Sequence, residues 1–221
     1  MIALRFVNKW SYGCANYLTK QLGQSNERRR VYYYGFQVVI GAIVKFILLL
    51  IVSLLLGVFK ETFFTMLFFV TLRVIAGGYH MKTYDKCVYV SLASFVLAGL
   101  VVHFLNPFMT WIPSVILTAI TYPVALYVII RWAPRDNPNR PIKSPDEIKK
   151  FKTLSLIHIH LWLVLMIVLI LTGQFMFLLS GCFGILFSVF VVSPAGHKFF
   201  GALSSVLDGK KKIPRKLSDS I

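Results

Sequence analysis

Acidic residues are scarce in this chain. Its 221 residues include eight Asp and Glu against 24 Lys and Arg, and charged residues of both signs amount to only 14%, well below the roughly 25% usual in a soluble domain. Hydrophobic residues reach 57% and aromatic residues 15%. A separate water-soluble domain of any size has no room here, and an integral membrane protein is what remains, because each spanning helix uses about 20 largely apolar residues. Cysteine is scarce too. Cys14, Cys87 and Cys182 are dispersed and odd in number, which argues against a disulfide framework or a four-ligand zinc site and leaves room for a working thiol. A secretory signal peptide is not expected, since Arg5, Asn8 and Lys9 break the first apolar run and no small-residue cleavage site follows a clean one. The spans themselves are expected to target the chain.

Long apolar runs bounded by charge or turn residues predict six spans: Gly35 to Phe59, Thr62 to Ile75, Cys87 to Leu105, Trp111 to Ile130, Leu154 to Leu171 and Phe175 to Val192. The last two are separated only by "TGQ", Thr172 to Gln174, and are divided there because one helix of that length far exceeds what a bilayer requires. The net charge of +16 invites a nucleic-acid partner, but in a membrane chain a basic excess reports topology first. Every Lys and Arg except Lys45 and Lys60 falls in four segments: before the first span, at or beyond the end of the second, after the fourth and in the tail. Six spans place all four on one side, and the positive-inside rule makes that side cytoplasmic. The expected fold is therefore an all-α, multi-pass protein with both termini in the cytoplasm. No nucleic acid is expected as a partner.

Residues 1–205 read as a single membrane-embedded domain and residues 206–221 as a basic, flexible cytoplasmic tail drawn to anionic lipid or an acidic partner. Ala3, Val7, Trp10, Cys14, Tyr17 and Gln21 or Leu22 recur at three- and four-residue steps. They predict an amphipathic N-terminal helix, lying either along the inner leaflet or against the spans.

Candidate chemistry is concentrated in "RVIAGGYHMKTYDKCVYVS", Arg73 to Ser91. Gly77 and Gly78 should end the second span. Thr83 or Asp85 should cap the third, leaving Cys87 in or near its first turn. There the positive end of the helix dipole, with Lys82 and Lys86, favours a thiolate. On one unbroken helix, His80 and Cys87 would lie about 10.5 Å apart along the axis, too far for direct proton transfer. A base beside a nucleophile therefore requires a sharp turn between them. The alternative is a capping histidine and an inert interfacial cysteine.

"LRVIAGGYHMKTYDKC", together with "APRDNPNRPI" after the fourth span, resembles the accessory gene regulator B (AgrB) family of membrane peptidases that process quorum-sensing propeptides. The resemblance covers nearly the whole chain. It implies Cys87 as nucleophile, His80 as general base and no metal or organic cofactor. It also implies a bacterial cell-membrane location with the active site at the cytoplasmic face. The reaction it implies is removal of the C-terminal part of a small precursor through an acyl-enzyme thioester, followed by closure to a thiolactone or lactone. The partners implied are a precursor with an amphipathic N-terminus and an acidic C-terminal tail, membrane lipid, and a second copy of the chain.

Other residues have a functional and a structural reading each. Gln37 either orients His80 or caps at the interface; where the family often has Glu or Gln, an amide stabilises an imidazolium less than a carboxylate does. Arg73 either grips a substrate carboxylate or carbonyl, or snorkels to headgroups. Lys45, about 12 Å deeper than Gln37 along a helix, has no acidic residue within a span to pair with. It either lines a substrate cavity or bonds carbonyls of a broken helix. His158 and His160 suit a metal pair on a strand, or an interfacial polar ring at the start of a span. Cys14 and Cys182 read as apolar fillers. The basic loop Arg131 to Lys152 is either a docking surface for an acidic tail or a determinant of topology. Two rival functions follow: a small peptide transporter, from Lys45, and a non-catalytic partner of a signalling kinase, from the basic surface.

Overall fold

A computed structural model of the chain describes residues 2–79, 81, 84–135 and 144–207. The regular elements among the described residues are helices: α1 (Ile2–Gln21), α2 (Asn26–Leu55), α3 (Phe59–Ala76), α4 (Tyr84–Leu105), α5 (Trp111–Trp132), α6 (Pro145–Leu171), α7 (Phe175–Val192) and α8 (Pro194–Leu207). A single 3-10 turn, Asn106–Phe108, leads from α4 toward α5. Five of the helices, α2, α4, α5, α6 and α7, are long and apolar enough to cross a membrane. α3 has 18 residues but includes Lys60, Glu61 and Arg73, and it falls outside that group. Large apolar side chains such as Phe104, Ile112, Leu161 and Leu171 are exposed on the outer faces, a surface suited to lipid rather than water.

α7 is the central helix. Leu178, Cys182, Ile185 and Val192 are fully buried and pack with Leu72 of α3, Ile129 of α5, and Ile159 and Met166 of α6. The α3–α7 contact is close because a Cβ on Gly184 would come within 2.6 Å of the Thr65 carbonyl oxygen. Small residues let helix backbones approach in this way. A second, smaller cluster of Leu49, Phe95 and Val96, with Met66, Phe69 and Phe187 against it, joins α2, α3, α4 and α7.

Three helix boundaries differ from expectation, and the structure decides which way α1 faces. α2 begins at Asn26 rather than Gly35, because Arg28, Arg29 and Arg30, placed before the first span by their charge, are good helix formers following the Gly23 turn. It ends at Leu55 rather than Phe59: the chain turns at Gly57 and puts Lys60 in the first turn of α3. α6 begins at Pro145 instead of Leu154. Ser144 caps it by accepting the Glu147 N–H at 3.1 Å, so Lys149, Lys150 and Lys152 belong to the helix. α1 runs antiparallel to the first part of α2, with Arg29 bonded to Asn16, Tyr12 edge-on to Tyr33 and Gln37 bonded to Asn8. The residues it buries are Val7, Ser11 and Ala15, while Trp10 and Tyr17 point outward. The expected apolar stripe is thus largely the exposed face, because close packing on α2 selects small side chains.

Candidate active site

Three elements meet where α3 ends. Gly77 caps the helix at φ +71°, its N–H bonding the Arg73 carbonyl at 3.1 Å. Arg135, just beyond α5, pairs with this turn, donating its N–H to the Ala76 carbonyl at 2.8 Å. A Cβ on Gly77 would lie 2.1 Å from the Arg135 carbonyl oxygen, and one on Gly78, at φ +130°, 1.9 Å from Arg73 Nη1. Both glycines are thus required by conformation and by space. Tyr79 donates its N–H to the Val191 carbonyl at the end of α7, at 3.2 Å, and its own carbonyl accepts from Arg73 Nη2. Its ring stacks on Phe200 of α8 and meets His197 edge-on, with centroids 5.9 and 5.4 Å apart. Burial, followed by the charges of Arg135 and Arg73, holds the His197 imidazole below its usual range.

α4 opens at Tyr84, so Cys87 is its fourth residue and lies in the first turn. Lys45, from α2, donates to Cys87 Sγ at 3.8 Å. One turn further along α4, Ser91 Oγ lies 3.9 Å from the same sulfur, and its hydroxyl donates to the Cys87 carbonyl. Sulfur and ammonium face a cavity of about 390 Å³. Its wall also includes Arg73, Tyr79, Met81 and Ser91, and otherwise aromatic and aliphatic side chains such as Phe69, Phe95, Phe187 and Phe200. Among the described lining residues none is acidic.

Of the residues singled out in the sequence, Cys87, Arg73 and Lys45 come together in this cavity, with Gly77 and Gly78 shaping the turn beside it. His80 lies outside the described residues; Tyr79 and Met81, on either side of it, both line the cavity. Gln37 does not. Its side-chain amide donates to Asn8 Oδ1 at 2.7 Å and to the Tyr33 hydroxyl at 2.9 Å, tying α2 to α1. His158 and His160 lie well inside α6 rather than at its start. His158 is partly buried, whereas His160 is exposed and bonds the Leu156 carbonyl at 2.6 Å. Cys182 is buried in the main core, and Cys14 is partly exposed on α1. Within the basic loop, residues 136–143 lie outside the described residues, as do 208–221 of the tail. Arg135, Val191, His197 and Phe200 escaped the sequence reading. They reach the site only through tertiary contacts, although the basic "APR" at the end of α5 and the apolar face of α8 were visible signals.

Fold and site together define a multi-pass helical membrane protein with the Cys87 thiol and the cationic side chains of Lys45 and Arg73 around an apolar cavity. The chain matches the profile of Accessory gene regulator B over residues 11–192 and belongs to that family. Among similar proteins, a putative AgrB-like protein of Clostridium perfringens (strain SM101 / Type A) is 23% identical over 158 residues, 69% of this chain and 73% of that protein. Protein FsrB of Enterococcus faecalis is 29% identical over 64% of this chain and 56% of its own length. Accessory gene regulator protein B of Staphylococcus intermedius is 32% identical over 56% of this chain and 62% of its own. No solved structure matches the chain.

Proposed function

We propose that the chain is a membrane-embedded cysteine endopeptidase that cuts the C-terminal part from a quorum-sensing propeptide and closes the remainder into a thiolactone or lactone. Family membership implies a role in a quorum-sensing system of the accessory gene regulator kind. The observation that carries the enzymatic reading is Cys87 Sγ in the first turn of α4, facing a large apolar cavity with Lys45 3.8 Å away. His80 acts as general base, taking the Cys87 proton and returning it to the leaving amine. A thioester keeps the acyl group activated, and an internal thiol or hydroxyl of the bound peptide then closes the ring, favoured by proximity. The apolar wall limits hydrolysis by excluding water.

In this reading α3 is a sixth crossing, both termini and the site face the cytoplasm, and α1 rests at the inner leaflet with Trp10 and Tyr17 toward lipid. The exposed Lys149 and Lys150 at the start of α6 attract the acidic end of the precursor, and the protein works as a homodimer. The transporter reading loses its separate motive, since Lys45 lines the same cavity as the thiol.

Co-expression with its cognate precursor tests the proposal. Wild type should release the C-terminal fragment and Cys87→Ala should not. Cleavage by Cys87→Ala overturns the peptidase, and peptide flux without cleavage favours transport.

A further inference from the structure

Attack of a thiolate on a peptide carbonyl makes an alkoxide, and inside an apolar cavity that charge needs a placed donor. The geometry points to Lys45: its ammonium holds the tetrahedral oxyanion formed at Cys87. This assignment rests on the peptidase reading. Lys45 Nζ already contacts Sγ at 3.8 Å, and a carbonyl carbon bonded to that sulfur carries its oxygen only one bond further on, within the sweep of a flexible lysine head. The surrounding Met66, Phe69 and Phe95 keep the local dielectric low, where a charge–charge contact is strongest. Arg73 also lines the cavity; its Nη2 is tied to the Tyr79 carbonyl, whereas its buried Nη1 has no hydrogen-bond partner among the described residues. That group and the backbone N–H groups in the first turn of α4 are the competing donors.

The steps balance. His80 removes the Cys87 proton, the sulfur bonds the scissile carbonyl carbon, and the carbonyl π pair moves onto oxygen. Lys45 donates a hydrogen bond to that oxygen without giving up its proton. Collapse re-forms the carbonyl, breaks the C–N bond and releases the amine with the proton held by His80. In ring closure the internal thiol or hydroxyl of the peptide gives its proton to His80 and attacks the thioester carbon. The same alkoxide forms on the same donor, and breaking the C–S bond returns the Cys87 thiolate, which recovers its proton from His80. One ammonium thereby serves both halves of the reaction.

Two probes that need no knowledge of the natural precursor separate this role from others. A short apolar peptide aldehyde ending in phenylalanine captures a thiol as a tetrahedral adduct, whereas iodoacetamide alkylates the sulfur with no oxyanion. With the full chain in lipid nanodiscs, Lys45→Met should weaken aldehyde capture by about 100-fold or more while changing Cys87 alkylation by less than about threefold. Lys45→Gln, which keeps a neutral donor, should fall between the two, and it decides the matter if Lys45→Met does not fold. A parallel fall in both probes assigns Lys45 to the sulfur alone and overturns the inference. Unchanged aldehyde capture shows that Arg73 or backbone donors suffice and overturns it equally. A wild type that captures no aldehyde, or a Cys87→Ser variant that captures it as well, defeats the peptidase reading itself and the inference with it.

Discussion

Arg73 and Tyr79 are joined across the glycine pair: the guanidinium at the end of α3 donates to the carbonyl of Tyr79 six residues on. The bond holds the chain in the turn that follows α3, and Gly78 leaves the space the guanidinium occupies. Gly78→Ala would set a methyl group 1.9 Å from Arg73 Nη1 at a φ of +130°. The backbone conformation alone should cost about 1–3 kcal/mol, and precursor cleavage should fall at least about tenfold. Thermal unfolding in detergent and release of the C-terminal fragment measure the two effects. Wild-type behaviour on both counts would remove the turn from the mechanism.

Phe200 stacks on Tyr79 and also lines the cavity. Phe200→Ala should forfeit about 0.5–1.5 kcal/mol of aromatic contact and enlarge the space beside Cys87. A raised KM with a smaller change in kcat is the expected kinetic pattern, because packing around the substrate changes while Cys87 and Lys45 stay in place.

Gln37 separates two roles. Its bonds to Asn8 and Tyr33 make it a clasp between α1 and α2, and each of Gln37→Leu and Asn8→Leu should cost about 1 kcal/mol. The double variant should cost less than the sum, since one bond is lost only once. If Gln37→Leu abolishes cleavage and Asn8→Leu leaves it intact, Gln37 acts on His80 after all.

His197 titrates below its ordinary value because of burial and the nearby Arg135 and Arg73. The unfolded chain, with an imidazole value of about 6.5, therefore takes up this proton first as pH falls. Stability should be unaffected by this group above that pH and should decline below it, until the folded form also protonates. Melting temperatures between neutral and mildly acidic pH should fall less steeply for His197→Gln than for wild type.

Much of the fold was legible locally. The starts of α5 at Trp111 and α7 at Phe175 follow from breaks that carry turn residues and no charge, and Gly77 ends α3 as glycine chemistry requires. The start of α2 was not legible, because three consecutive arginines signal an aqueous location without excluding a helix. Which face of α1 is packed was left open for a related reason. Hydrophobic periodicity identifies an apolar stripe, but whether lipid or a neighbouring helix covers it depends on side-chain size. In the site, Cys87 and Arg73 stood out through their resemblance to a family pattern, and Lys45 through its isolation in a greasy run. That Lys45 meets Cys87, 42 positions away, depends on how α2 packs against α4, and no local pattern encodes it. The same holds for His197 and Phe200.

The close α3–α7 crossing at Gly184 has a mechanical consequence. Thr65 and Phe68 sit where a side chain would otherwise hold the two backbones apart, so these helices behave as a fixed jamb. Arg73 and Val191, at the ends that hold the Tyr79 turn, belong to it. α2 touches α3 and α4 far more sparsely than α3 touches α7, and it carries Lys45. A parting of α2 from α3 and α4, with α1 moving alongside it, therefore disturbs less packing than one between α3 and α7, and in that sense α2 is the door leaf. Swinging it outward would also carry the ammonium away from the sulfur, and closing it would bring the two back together.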